Sequence, residues 1–178
     1  MTILSYAGQR RRTHVQLMLG LLITLTSPIC MAQVRVRDEV DGFELMLPSS
    51  AWIAMSLPST IYTHTDFVYG KTSTVRLRIR RTLNDVDTPS AIARRDRQMR
   101  LRFLPGFISD GTESFVGKLD GVRVRYEYIR GGKLVSVETY YLQSSASVIY
   151  VLRFSGPPEL LERIRNQTDF IARSFRLT

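Results

Sequence analysis

One cysteine in 178 residues excludes a disulfide framework, and the position of that residue, Cys30, excludes more. It falls in a segment that reads as a cleaved leader. The chain that remains has no thiol for a nucleophile, a thiolate metal site or an iron–sulfur cluster. A cysteine-free domain suits an oxidising compartment, where there is no thiol chemistry to manage. Histidine is almost as scarce: His14 also belongs to the leader, which leaves His64 alone. Acidic residues are in short supply, 16 against 25 Lys and Arg, for a formal charge of +9. No apolar run reaches the roughly 20 residues that a spanning helix needs. What is present, 44% hydrophobic and 23% charged residues, is ordinary for a globular chain and amounts to one domain.

The first 32 residues differ from the rest. Arg10, Arg11 and Arg12 make a positive start, Leu17 to Leu25 is apolar, Ser27 and Pro28 end that run, and Cys30-Met31-Ala32 places small residues before a cut at Gln33. This is the layout of a secretory signal peptide, so 1–32 is expected to be removed and 33–178 to form a single periplasmic or secreted domain with no transmembrane span. Ile29 before Cys30 argues against lipidation, and Thr13-His14 after the arginines against twin-arginine export. Cleavage removes three arginines and no acid, taking the charge from +9 to +6. A domain of that size buries roughly 68–70% of its unfolded surface, enough for a core without staples.

Strand signals dominate 33–178. Phe43 to Leu47 ends at Pro48, and Ser49 to Trp52 reads as a turn. Thr60 to Tyr69 is rich in Thr, Tyr, Phe and Val. In Thr74 to Leu83, Val75, Leu77 and Ile79 point one way and Arg76, Arg78 and Arg80 the other. After a turn at Asn84 to Asp87, Thr88 can cap and Pro89 can open a helix running to about Leu104, before Pro105-Gly106. A meander follows, with turns at Asp120-Gly121, Gly131-Gly132 and Ser144-Ser145 and a last strand from Val148 to Phe154. Two-residue turns make these strands antiparallel neighbours. A closing helix carries Leu161, Ile164, Thr168, Ile171 and Phe175 on one face, with Glu159–Arg163 and Asp169–Arg173 as i,i+4 pairs. The fold class is α+β: an antiparallel sheet of about six or seven strands flanked by helices.

The strand ending in Leu47-Pro48, Trp52 after Ser49-Ser50-Ala51, the basic helix after a β-ribbon, the meander, Tyr150 to Phe154 and the ending Ile171 to Phe175 together resemble the PsbP-like superfamily of α/β/α sandwiches. That group includes the extrinsic subunit of the photosynthetic oxygen-evolving complex, a nuclear Ran-binding protein and many exported bacterial proteins. The resemblance spans Phe43 to Phe175 and rests on core and turn positions (Trp52, Tyr150, Phe154, Ser174, Phe175), so it transfers no functional residue. It implies binding or assembly roles and no enzyme activity, and a fold by itself does not settle function.

The most specific feature is the layout of arginine. Arg94, Arg95, Arg97, Arg100 and Arg102 crowd the first helix against Asp96 alone. Its apolar stripe is narrow: Ile92, Met99 and Phe103 fall within about 40° of one another, and Leu101 points nearly opposite. Arg76, Arg78 and Arg80 form a second positive row, and Arg123 and Arg125 repeat it in the meander. One reading is a surface for an anionic partner: an acidic protein, a lipid headgroup or an acidic glycan. The other is a solvated face with cross-strand pairs to Glu127 and Glu138. Nucleic acid is not expected, because the chain is exported and lacks a nucleic-acid motif. Tyr126 and Tyr128 share a face with Val122 and Val124 and belong to the core.

Catalytic and metal sites are not expected, and no cofactor is implied. His64 shares a strand face with Asp66, and with a distant Ser or Glu would make a hydrolase, but no serine sits in a Gly-x-Ser-x-Gly elbow. The groups Asn84, Asp85, Asp87 and Asp38, Glu39, Asp41 do not have calcium-loop spacing. The first reads as turn and cap, the second as a solvated N-terminal stretch. Asn166-Gln167-Thr168 matches a glycosylation sequon in mid-helix.

Overall fold

The computed structural model describes residues 33–56, 64–72, 74–83 and 88–178. The leader 1–32, the start of the strand expected from Thr60 and the turn at 84–87 lie outside the described residues. Seven strands form one antiparallel sheet: β3 (Trp52–Ser56), β4 (Thr65–Tyr69), β5 (Val75–Leu83), β6 (Ile108–Phe115), β7 (Gly121–Arg130), β8 (Lys133–Ser145) and β9 (Val148–Gly156). Their order is β3-β4-β5-β9-β8-β7-β6. A second sheet, β1-β2-β10, joins β1 (Val34–Asp38), β2 (Phe43–Leu47) and β10 (Arg176–Leu177). This is the predicted α+β class.

The order explains where the helices must lie. After β5 the chain goes to the far edge of the sheet, β6, and meanders back until β9 pairs with β5. The helix α1 (Pro89–Met99) belongs to that connection, so it crosses a sheet face, where it packs on β7 and β8. The helices α2 (Pro158–Arg163) and α3 (Arg165–Ser174) follow β9 and cover the opposite face together with β2.

Alternation decides which side chains each face buries. Val75, Leu77 and Ile79 are fully buried under α2, α3 and β2, with Tyr140, Leu142, Tyr150, Leu152 and Phe154. Phe43, Leu45, Leu161, Ile164, Ile171 and Phe175 meet them from above. Burying each large side chain contributes about 1.5–3 kcal/mol, so this cluster is the principal source of stability. The positions behind the family resemblance all serve it. Trp52 packs edge-on against Phe154 and donates from Nε1 to Gln167 at 3.1 Å. Ser174 Oγ accepts from Met46 N at 2.9 Å and so ties α3 to β2. On the other face Val122, Val124, Tyr126, Tyr128, Val137, Tyr141 and Val151 are buried against Ile92 and Ala93 of α1.

Several expectations shift. The first helix ends at Met99 rather than near Leu104, because Arg100 leaves helical geometry at φ −136°, and a short 3-10 turn, Leu101–Phe103, follows. That break resets the phase: Leu101 turns in and is 7% exposed, whereas Met99 and Phe103 turn out at 69% and 67%. The stripe expected through Ile92, Met99 and Phe103 is therefore replaced by Pro89, Ile92 and Ala93, with Leu101 beyond the break. The closing helix is two helices, because Ile164 departs from helical geometry between them, yet Leu161, Ile164, Thr168, Ile171 and Phe175 are all buried as expected. Its Asp169–Arg173 pair forms at 2.6 Å. Gly131 and Gly132 do make the tight turn, at φ +58° and +73°. The other two turns move: Asp120-Gly121 is not a turn but the entry to β7, with Gly121 paired to Phe115 and Leu142, and the β8–β9 turn is Ala146-Ser147. Trp52 opens β3 rather than closing a turn. Asp38 is buried, not solvated. Its carboxylate accepts from Val40 N, Asp41 N and Thr65 Oγ1 at 2.9–3.0 Å and pins the β1–β2 turn to β4. Both rims of the large sheet carry register shifts, at Ala54/Ser56 in β3 and at Ser109/Gly111 in β6.

Candidate anion-binding site

α1 packs on the β7–β8 part of its sheet face, and beside its end a cleft remains toward β5 and β9. Register then decides which residues line it. Asp66 of β4 faces Arg78 of β5, Arg78 faces Arg153 of β9, and Arg153 faces Thr139 of β8. Paired residues share a face, so these line up beneath the end of α1. The result is a cleft of ≈ 190 Å³, bounded by His64, Arg78, Arg80, Tyr126, Thr139 and Arg153 from the sheet and by Asp96, Arg100 and Leu101 from the helix end.

Internal partners occupy part of this charge. Arg78 grips Asp66 with two parallel hydrogen bonds, Nε to Oδ1 and Nη2 to Oδ2, both 2.9 Å. His64 Nε2 stands 3.7 Å from Asp66 Oδ2. Tyr141 donates to Asp96 Oδ2 at 3.0 Å, and Arg100 lies 3.5 Å from Asp96 Oδ1. The Arg153 guanidinium sits 5.8 Å from the Tyr126 ring centre, in cation–π range, while its buried Nε has no hydrogen-bond partner among the described residues. The phenols of Tyr126 and Tyr141 are pushed upward, by burial first, so they stay protonated donors.

Asp66 is held below the usual carboxylate range. Burial pushes it up, but the Arg78 fork and the charges of Arg78, His64 and Arg76 outweigh burial. A carboxylate with a depressed folded pKa stabilises the fold above its unfolded pKa, and that contribution is lost as pH falls through the folded value. Stability is therefore expected to drop on acidification below about pH 4. Arg78→Gln should flatten that limb, because burial of Asp66 is then opposed only by the weaker effects of His64 and Arg76. Urea midpoints across the acid range measure it, and a variant with the wild-type slope would refute the assignment.

Of the arginines singled out in the sequence, the structure brings Arg78, Arg80 and Arg100 together. Arg76 lies further along β5, exposed and outside the cleft. Arg94, Arg95 and Arg102 are exposed on the outer side of α1 and the following turn, Arg97 is half-buried on the helix flank, and Arg102 stacks 4.6 Å from the Phe103 ring centre. Neither Arg94 nor Arg97 has a carboxylate partner among the described residues. Arg123 and Arg125, expected to repeat the β5 row, point to the opposite face. There they meet Glu138 at 3.6 and 3.1 Å, as well as Glu113, and Arg123 lies 3.7 Å from Asp169 of α3. That cluster is an internal clamp between sheet and helix, with Thr168 Oγ1 donating to Glu138 at 2.6 Å. The residue missed from sequence is Arg153. In Val148 to Phe154 it reads as one polar position in a buried strand. Its alternation with Ile149 and Val151 was the available signal that it faces α1.

No protein-family model matches the chain, and no curated protein matches it. Solved structures do. The cyanobacterial PsbP protein CyanoP from Synechocystis sp. PCC 6803 superposes with a TM-score of 0.61 over 86% of this chain and 96% of its own, at 12% identity. LpqN of Mycobacterium tuberculosis, described as involved in cell envelope biogenesis, gives 0.56 over 83% and 91% at 18% identity. The Saccharomyces cerevisiae Ran-binding protein Mog1p gives 0.58 over 83% and 96% at 9% identity. No helix among the described residues is long and apolar enough to cross a membrane.

Proposed function

We propose, from the PsbP-like fold as premise, that this protein is an exported, non-enzymatic binding module that docks an anionic partner, an acidic protein or an anionic envelope component, through the basic face of α1. One observation carries the reading: Arg94, Arg97 and Arg102 project from α1 and the turn after it with no carboxylate partner among the described residues, while the single acid of that stretch, Asp96, is taken by Tyr141 and Arg100. Unneutralised guanidinium groups on one short element attract carboxylate and phosphate oxygens, and their planar forks grip them in pairs. The similar proteins support a binding role in kind: one is named for binding Ran and another for envelope biogenesis. Capture of the partner from an envelope fraction tests it. Such a contact is screened over about 10 Å at 0.1 M salt, so capture should fall steeply as salt rises. Retention that ignores salt would overturn it.

A second reading has its own observation. Met99, Phe103 and Ile108 are large apolar side chains left exposed beside those arginines. They favour a structural or assembly subunit of an envelope complex, held by an apolar contact that survives high salt. Leu101, which lies between Met99 and Phe103 in sequence, is buried in the fold and takes no part in such a contact.

A further inference from the structure

We infer that the cleft between β4, β5, β9 and the end of α1 is a binding site for a single phosphate group, distinct from the outward docking face of α1. Its size comes first. At ≈ 190 Å³ it is smaller than the roughly 300–1,000 Å³ of pockets that enclose whole organic ligands, so it takes one compact group rather than a molecule. Its charge comes second. Four guanidinium groups, Arg78, Arg80, Arg100 and Arg153, converge there against two carboxylates, Asp66 and Asp96. The surplus of two positive charges matches a phosphate dianion and overshoots a single carboxylate.

Unspent donors come third. Arg78 is committed to Asp66, and Arg100 leans on Asp96. Arg80 has no carboxylate partner among the described residues. The buried Nε of Arg153 has no hydrogen-bond partner among the described residues, although a buried donor left unmade costs about 1–3 kcal/mol. A phosphate oxygen placed between Arg80 and Arg153 would accept from both guanidinium groups. The Arg78–Asp66 fork stiffens the strand side of the site, and the Tyr126 ring lies 5.8 Å from the Arg153 guanidinium. The phosphate can belong to a soluble phosphomonoester or to a lipid headgroup; the recognition chemistry is the same.

The test is calorimetric titration of the full chain with inorganic phosphate, followed by the Arg153 Nε–Hε resonance. Saturable one-to-one binding is expected, with acetate at equal ionic strength binding more weakly. Arg80→Gln, which breaks no carboxylate pair among the described residues, should weaken phosphate about tenfold or more, and Arg153→Gln likewise. Arg94→Gln on the outer side of α1 should leave phosphate affinity in the cleft unchanged while weakening capture of the docking partner, which separates the two sites. Glycerol phosphate and phosphatidic acid vesicles then distinguish the two sources. Vesicle binding that free phosphate displaces points to a headgroup; glycerol phosphate binding without vesicle binding points to a soluble ester. Absence of saturable phosphate binding, acetate binding as tightly, or an Arg80→Gln variant that binds like wild type would each overturn the proposal.

Discussion

Replacing Glu138 by leucine should lower the stability of the domain by about 3 kcal/mol, the lower end of the range for breaking a buried ion pair. The carboxylate is buried and accepts from Arg125 Nε and Thr168 Oγ1, with Arg123 within ion-pair distance. Its loss leaves two largely buried guanidinium groups facing leucine. Exposed Glu113 and the more distant Asp169 compensate only in part, which is why the lower end applies. For a domain of this size the melting temperature should fall by roughly 10 °C. Adding Arg123→Met and Arg125→Met should restore much of the loss, because apolar replacements of similar bulk remove the charges as well as their partner. A single Glu138→Leu variant melting within a degree or two of wild type would show that the clamp contributes nothing.

Neutralising Arg94, Arg97 and Arg102 to glutamine should weaken capture of the anionic partner on the order of 100-fold at low salt while leaving the melting temperature nearly unchanged. The estimate takes about 1 kcal/mol for each charge brought against an anionic surface. The fold should tolerate the change, because neither Arg94 nor Arg97 has a carboxylate partner to lose among the described residues, and Arg102 is exposed against an exposed Phe103 ring. Differential scanning fluorimetry beside the capture assay separates the two effects. Unchanged capture, or a collapse in stability matching the loss of capture, would remove α1 from the role proposed for it.

How far the chain could be read in advance follows from the range of each interaction. At the centre of β5 the apolar and basic residues alternate, so period alone puts Val75, Leu77 and Ile79 on one face, which is buried, and puts Tyr126 and Tyr128 in the core. Thr88 and Pro89 mark the start of α1 by local chemistry, and the Thr88 hydroxyl does accept from Ala91 N at 3.3 Å. The end of α1 carries no such mark: nothing in Arg100 itself announces a change of backbone geometry, and one residue of lost helix exchanges Leu101 with Met99 and Phe103. The cleft was least legible. Arg78, Arg100 and Arg153 are far apart in sequence and meet only because β9 returns between β5 and β8, a pairing that no local pattern encodes. The separation of Arg123 and Arg125 from the β5 row has the same cause: it depends on strand register across two intervening strands.

The irregular margins of the seven-stranded sheet bear on how the molecule meets others. An unbroken outer strand offers a ladder of free amide and carbonyl groups on which a second copy can stack without limit, and a displaced residue in that ladder spoils the match. Here the displacement occurs at both ends, in β3 and in β6. Sideways growth into ribbons or fibrils is thereby discouraged, and productive encounters are confined to the broad surfaces, where shape and charge set the choice of companion.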